Sequence, residues 1–232
     1  NSPGLLTDTT ADLAWALLFA AARRVVEADS FTRGGNYKGW GPMMFLGQDI
    51  TGATLGIIGG GRIGTAFARK AKGFDMKIRY NDVEPSAEFE RQTGAEYVDR
   101  ETLLGESDFV SIHVPLLPET THLIGREELE MMKETAVLIN TSRGPVIDEK
   151  ALVDALRVRE IYAAGLDVFE NEPELAPGLA DLRNVVVLPH IASASIETRT
   201  KMGLMAVDNI LAALDGKTLP NCVNGEMIRT LV

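Results

Sequence analysis

The residue types and spacing over 55–82 carry more chemistry than any other stretch of this chain. An apolar run ending in LGII leads into Gly59-Gly60-Gly61-Arg62-Ile63-Gly64, then TAFARKAKGF, then KIRY and Asp82. Gly59, Gly61 and Gly64 satisfy G-x-G-x-x-G, and Asp82 lies 18 residues after Gly64, close to the ~20 at which an acid meets the adenosine ribose of a dinucleotide. Gly59 serves a tight turn out of a strand, Gly61 lets the backbone approach a pyrophosphate, and Gly64 lets the following helix pack on the strand. The helix starting near Arg62 then offers unpaired N–H groups to phosphates. Without the strand, helix and acid in register, the three glycines would be an ordinary loop.

The same residues bear on which dinucleotide is bound. A carboxylate at Asp82 accepts both ribose hydroxyls of NAD and repels a 2'-phosphate, and Val83-Glu84-Pro85-Ser86 supplies no Arg or Lys to neutralise one. NAD(H) is therefore expected over NADP(H). The competing reading of Asp82 is a solvated turn residue after its strand.

The elements that must position this site are legible as repetition. Apolar runs LGII (55–58), KIRY (77–80), FVSIHV (109–114), AVLIN (136–140), YAAGLDV (162–168) and NVVVLP (184–189) alternate with helical patterns. Several runs are apolar on both faces, as in a buried parallel sheet. The helical stretches are TAFARKAKGF, SAEFERQTG, DRETLLGES, REELEMMK and DEKALVDALRVRE, the last opening on an Asp suited to an N-cap. The expected fold is α/β, a doubly wound parallel sheet with right-handed crossovers, whose ligands sit at the carboxyl ends of the strands. Arg143 and His190 each follow a predicted strand directly and so face that crevice. On residues alone, Arg143 reads equally as a loop ion-pair partner, and His190 as a hydrogen-bonded core histidine.

Two flanks stand outside the repeat. Residues 5–29 are expected to form one long apolar helix, and residues 30–49 an arm without helical or strand periodicity. An arm exposing Trp40, Met43, Met44 and Phe45 calls for cover from a second subunit, so a homodimer is expected. The segment SIETRTKMGLMAVDNILAALDGK reads as one helix ending near Gly216, followed by a tail.

Composition narrows the partners. The chain has 232 residues, 45% hydrophobic and 24% charged, with a formal charge of -10 and scattered basic residues, which disfavours nucleic acid. The run ADLAWALLFAAA (11–22) is short of the ~20 residues of a membrane span, and without a basic n-region ahead of it the run is not expected to be a signal peptide. Cys222 is the single cysteine, which fits a reducing compartment and a cytoplasmic protein. The cysteine and three histidines are widely spaced, and no metal site is expected.

Taken in order, GxGxxG with Asp82, HVPLLPETTHLI (113–124), NTSRGPVIDEKAL (140–152), AAGLDVFENEP (163–173) and LPHIASASIETR (188–199) resemble the successive signatures of the D-isomer-specific 2-hydroxyacid dehydrogenases. PHIASAS, PGLADLRN and LPNCVN look most like the glyoxylate and hydroxypyruvate reductase subgroup. The resemblance implies a Rossmann-type NAD-binding domain over 1–195, with a dimerisation helix and arm over 5–49. Residues 196–232 would return toward a substrate domain, of which only a remnant at the termini is expected. In that family a substrate domain precedes a segment like NSPGLLTDTTADLAWALLFAAARR, which here starts at Asn1.

The implied reaction is reduction of a small 2-oxo acid, glyoxylate or hydroxypyruvate, by NADH. It needs a cation for the carboxylate, an acid for the new alkoxide and a positioned hydride donor. By resemblance Arg143 is the cation, His190 the acid and Glu172 its tuning carboxylate. Of the neighbouring Glu170, Glu172 and Glu174, which alone read as a solvated acidic loop, Glu172 is chosen because the family places its acid before the proline. The same likeness sets Arg62 and Ile63 at the pyrophosphate, Val114 and Pro115 beside the adenine and ribose, Thr141 near the nicotinamide ribose, and Asp167 at the carboxamide. On residues alone Ile63, Val114 and Pro115 are plain packing and Asp167 a strand-end cap. His113 is expected on the nicotinamide side and His122 in a helix or turn. An alternative is an NAD-binding fragment or an NAD-sensing binding module, as in the C-terminal-binding-protein corepressors, which share this fold and triad. A formate-type dehydrogenase is disfavoured by Glu172.

Overall fold

Six of the apolar runs become strands of one all-parallel sheet, joined by a seventh strand that the patterning does not foretell. The computed structural model describes residues 4–224, so residues 1–3 and the end of the predicted tail, 225–232, lie outside the described residues. The strands are β1 (Thr54–Ile58), β2 (Lys77–Asn81), β3 (Glu96–Tyr97), β4 (Phe109–Ile112), β5 (Val137–Asn140), β6 (Ala163–Leu166) and β7 (Val185–Val187). The helices are α1 (Thr7–Ala22), α2 (Val25–Arg33), α3 (Arg62–Ala71), α4 (Ala87–Thr93), α5 (Arg100–Glu106), α6 (Arg126–Met131), α7 (Glu149–Val158) and α8 (Ile196–Leu214).

The order β3-β2-β1-β4-β5-β6-β7 reverses direction between β1 and β4, the position at which a doubly wound sheet opens a crevice. Ile58 pairs with Ile112, Ile112 with Asn140, Asn140 with Leu166, and Leu166 with Val187. The residues that follow those strands, Gly59, His113, Thr141 and Asp167, therefore stand in a row along the carboxyl edge.

Strand alternation divides the core into two layers, because successive side chains point to opposite faces. Phe109, Val137 and Ile139 join a cluster with α1 and α3, whereas Val110, Ile112 and Leu138 join one with α5, α6 and α7. Buried aromatics dominate the first layer: Trp15 of α1 stacks on Phe67 of α3 at 4.7 Å, and its indole N–H donates to the Phe67 carbonyl at 3.1 Å. Burying a ring such as Phe67, which is fully enclosed, contributes about 2–3 kcal/mol.

The expected single helix over 5–29 is instead two. α1 ends at Ala22, Arg24 adopts a left-handed conformation (φ 53°), and α2 starts at Val25. The cause is the returning arm: Gln48 donates its N–H to the Ala22 carbonyl at 3.0 Å, taking an acceptor that a continuing helix needs. The arm approaches this closely because a Cβ at Gly47 would drive into that carbonyl oxygen. Arg24 then pairs with Glu27 and lies over the Phe45 ring. Phe45 is accordingly half-buried rather than exposed, while Trp40 and Met43 remain 83% and 76% exposed. β3 goes unforeseen because two residues carry no period. FVSIHV also stops short as a strand: His113 still donates to the Ile58 carbonyl, but Val114 and Pro115 lie beyond the ladder.

α8 spans the expected length, capped by the Ser195 hydroxyl accepting the Thr198 N–H at 3.2 Å. Only Thr198 of this helix is buried, and Ile196, Leu204, Ile210 and Leu214 are exposed. No helix among the described residues is long and apolar enough to cross a membrane.

Candidate active site

The glycine turn is built by exclusion. Gly59 takes φ +99°, and a Cβ there would meet the His113 backbone at 2.8 Å, while one at Gly64 would overlap the Gly59 carbonyl oxygen. The turn is thus wedged between β4 and the start of α3. Among the described residues other than its chain neighbours, no atom lies within 4 Å of a Cβ at Gly61, so that side of the turn is open. Gly61 is also the N-cap of α3, without a side-chain cap and with no acid in the first turn, leaving N–H groups and the helix dipole for an anion. Asp82 stands beside this turn, its carboxylate accepting the Gly60 N–H at 2.7 Å and the Val83 N–H at 2.7 Å.

An open cleft of about 690 Å³ runs along the carboxyl edge, starting beside the turn at Arg62 and Ile63. Arg62, Ile63, Val114 and Pro115 line one part of it, and Thr141, Arg143 and His190 another. His113 sits in its wall, with Nε2 2.9 Å from the Ser111 hydroxyl. Burial pushes the His113 pKa down to about 3, so this ring is neutral and no proton source near pH 7. Leu6, Thr7 and Thr10 from the start of α1, and Ser193, also line the cleft. Leu6, Thr7 and Thr10 reach the cleft only through tertiary packing, whereas Ser193 follows His190 by three residues in the LPHIASAS run.

Arg143 is presented by Asn140, buried at the end of β5. The Asn140 amide donates to the Arg143 carbonyl at 3.0 Å and its oxygen accepts the Ser142 N–H at 2.9 Å. The guanidinium donates to the Ser142 carbonyl at 2.6 Å and has no carboxylate within ion-pair distance among the described residues. The loop ion pair that the residue types allow is absent there. Gly144 lets this loop lie directly on the chain that bears the acids, because a Cβ would overlap the Phe169 carbonyl. Gly144→Ala must displace backbone, and overpacking of this severity costs about 3 kcal/mol or more. A lowered melting temperature checks this, and unchanged melting would mean the two loops are not packed as described.

His190 and Glu172 are brought together, with Nδ1 2.9 Å from Oε2. Burial pushes the Glu172 carboxyl up, but the hydrogen bonds from His190 and the Phe169 N–H, with the charges of His190 and Arg143, outweigh it and hold it below its ordinary value. Glu170, by contrast, is turned to His122 at 2.7 Å, which separates the roles of these neighbouring acids. Asp167 is not brought to the cleft. It is 0% exposed, and its carboxylate accepts the Ile191 and Ala192 N–H groups at 2.8 and 2.7 Å. Burial raises its pKa against the pull of those two bonds. The structure gives it the strand-end cap, holding the turn that carries His190, whose own N–H donates to the Asp167 carbonyl.

This geometry coincides with a known family. The D-isomer specific 2-hydroxyacid dehydrogenase NAD-binding domain matches residues 15–192. The chain belongs to that family. It is 57% identical to the glyoxylate reductase of Korarchaeum cryptofilum, over 99% of this chain and 70% of the relative. It is 55% identical to that of Thermococcus litoralis, over 98% and 70%. The crystal structure of the TT0316 protein from Thermus thermophilus matches with a TM-score of 0.90 at 46% identity, over 96% of this chain and 70% of the other. The chain therefore carries the NAD-binding domain of a dehydrogenase and spans 70% of the length of these relatives.

The residues present suit a nicotinamide dinucleotide. The Thr141 hydroxyl is the one buried side-chain polar atom among the described residues without a hydrogen-bond partner, and it lines the cleft. A buried unsatisfied hydroxyl costs about 1–3 kcal/mol, a cost that a ligand hydroxyl or amide removes. The open side of Gly61 and the uncapped start of α3 suit a pyrophosphate.

Proposed function

We propose that this chain reduces a small 2-oxo acid, glyoxylate or hydroxypyruvate, to the D-2-hydroxy acid. The observation that carries the reading is His190, held 2.9 Å from Glu172 and lining a cleft shared with Arg143, which among the described residues has no carboxylate within ion-pair distance. Relatives at 55–57% identity that are named glyoxylate reductase support the substrate class.

NADH, when bound, supplies the hydride for the carbonyl carbon. The residues that would hold it are Gly59, Gly61, Arg62, Ile63 and Gly64 at the pyrophosphate, Asp82 at the adenosine ribose, Val114 and Pro115 beside the adenine, and Thr141 at the nicotinamide ribose. Arg143 grips the substrate carboxylate through its planar fork and polarises the adjacent ketone oxygen. His190 Nε2 delivers a proton to the oxygen that becomes the hydroxyl. Glu172 accepts the Nδ1 proton of His190, which fixes the ring and favours the imidazolium. The substrate test is a comparison of 2-oxo acids with ketones and aldehydes lacking the carboxylate. The reading requires that only the acids turn over well, and equal rates would remove Arg143 from its role.

The preference for NADH rests on Asp82, which is followed by Val83-Glu84-Pro85-Ser86 with no Arg or Lys to hold a 2'-phosphate. Asp82→Ala is expected to raise the Michaelis constant for NADH about tenfold and to leave that for NADPH unchanged or lower, as loss of a charge-assisted hydrogen bond implies. An equal rise for both cofactors would discard the assignment. The exposed Trp40 and Met43 support a homodimer in which a second copy covers the arm; sedimentation as a monomer would oppose this.

A second reading, a cofactor-binding unit that does not turn over by itself, is favoured by one observation. The face of α8 bearing Leu204, Ile210 and Leu214 is uncovered, so a further element is needed to bury it.

A further inference from the structure

We propose that Glu149 is a positioning residue for the His190–Glu172 pair, its buried carboxylate holding the acid-bearing loop on both sides of Glu172. The inference rests on the catalytic reading of that pair. Glu149 is the first residue of α7 and is 3% exposed, yet it does not line the cleft. One carboxylate oxygen accepts the Glu170 N–H at 2.9 Å and the other the Ala176 N–H at 3.3 Å. These two amides bracket Glu172 in the chain. The clamp is reciprocal, because the Glu149 N–H donates to the Glu170 carboxylate at 3.2 Å.

A buried carboxylate without a cation partner is costly unless hydrogen bonds replace its water. Among the described residues Glu149 has no such cation, and its compensation is two backbone donors together with the amino end of α7. Burial pushes its carboxyl up, the Glu170 and Ala176 N–H groups pull it down, and the charges of Glu170 and Glu172 push it up again. Two residues along from Glu170, Glu172 is 37% exposed on its side chain, so packing does not fix its aim at His190. Its local ties are the Phe169 N–H at 3.1 Å and the turn in which Glu174 donates to the Asn171 carbonyl. Glu149 adds a rigid anchor beneath both ends of that segment. The lattice extends to the Arg143 loop, since Glu170 meets His122 and the His122 N–H donates to the Pro145 carbonyl at 2.8 Å. Two carboxylates thereby connect the start of α7 to both loops, Glu149 directly to the one bearing Glu172 and Glu170 through His122 to the one bearing Arg143.

The test follows the His190 imidazole by NMR through a pH titration of the 232-residue chain, which has only three histidines, with His190→Asn assigning the signal. In Glu149→Gln one acceptor oxygen becomes a donor facing a backbone N–H. The His190 titration is then expected to move to lower pH, as it does in Glu172→Gln. The double variant is expected to move no further than Glu172→Gln alone, because residues acting through one another are not additive. In turnover, kcat falls about tenfold with the Michaelis constant for NADH unchanged, a modest share of the 10²–10⁴ of acid catalysis. If Glu172→Gln shifts His190 and Glu149→Gln does not, Glu149 is structural only and the inference is overturned. If Glu172→Gln itself shifts nothing, the pair is not coupled and both the catalytic reading and this inference fall. Should Glu149→Gln not fold, Glu149→Asp, which keeps the charge and shortens its reach, is read in the same way.

Discussion

Replacing Arg143 with alanine is expected to lower kcat/KM for a 2-oxo acid by two to three orders of magnitude, with the dissociation constant for NADH unchanged. Removing one group aimed at developing charge costs about 3–4 kcal/mol of transition-state stabilisation. Arg143 fits that role for a local reason. Its backbone is fixed by the Asn140 side chain, one Nη is spent on the Ser142 carbonyl, and no carboxylate competes for the rest among the described residues. Arg143→Lys should recover only part of the loss, since an ammonium lacks the fork that engages a carboxylate and ketone together. Steady-state kinetics with separate NADH binding checks both variants. A deficit confined to NADH affinity would make Arg143 a structural part of the cofactor wall.

His190→Asn is expected to lower kcat by two to four orders of magnitude, the usual contribution of a positioned acid, and to remove the pH dependence of reduction. If His190 is the proton donor, reduction by the unaltered chain is expected to fall as pH rises, because only an imidazolium donates. The sign for Glu172 follows from its depressed pKa, which the His190 hydrogen bond and charge help produce. A carboxylate hydrogen-bonded to an imidazole Nδ1 in general stabilises positive charge on the ring. Glu172→Gln withdraws that support, so the falling limb moves to lower pH. A pH–rate profile measures the shift, and an unmoved limb would count against the pair. His113 cannot substitute, being held neutral by burial.

The sheet and its glycine turn were legible because they depend on local period and on residues with no side chain. β4 and β5 read as nearly continuous apolar runs, interrupted only by Ser111 and Asn140, since both faces are buried, and Gly59 and Gly64 stand where any Cβ would collide. The break at Arg24 was hidden because its cause, the Gln48 N–H reaching the Ala22 carbonyl, comes from a distant part of the chain. The buried roles of Asp167 and Glu149 were hidden for a related reason: an acid's burial is a property of the loops that fold over it. Asp167 closes on the 191–192 amides and Glu149 on those of 170 and 176. His190 and Glu172 were found together through family resemblance rather than spacing, since 18 residues of sequence say nothing about a 2.9 Å contact.

The central claim is that these residues, as this chain folds them, make a reducing site. The most direct measurement is NADH oxidation by the 232-residue chain supplied with glyoxylate, beside an NADH binding titration of the same sample and of His190→Asn. Turnover by the unaltered chain, with turnover lost and NADH binding retained in His190→Asn, is the predicted result. NADH bound by the unaltered chain with no glyoxylate reduced would contradict the claim and leave a cofactor-binding unit.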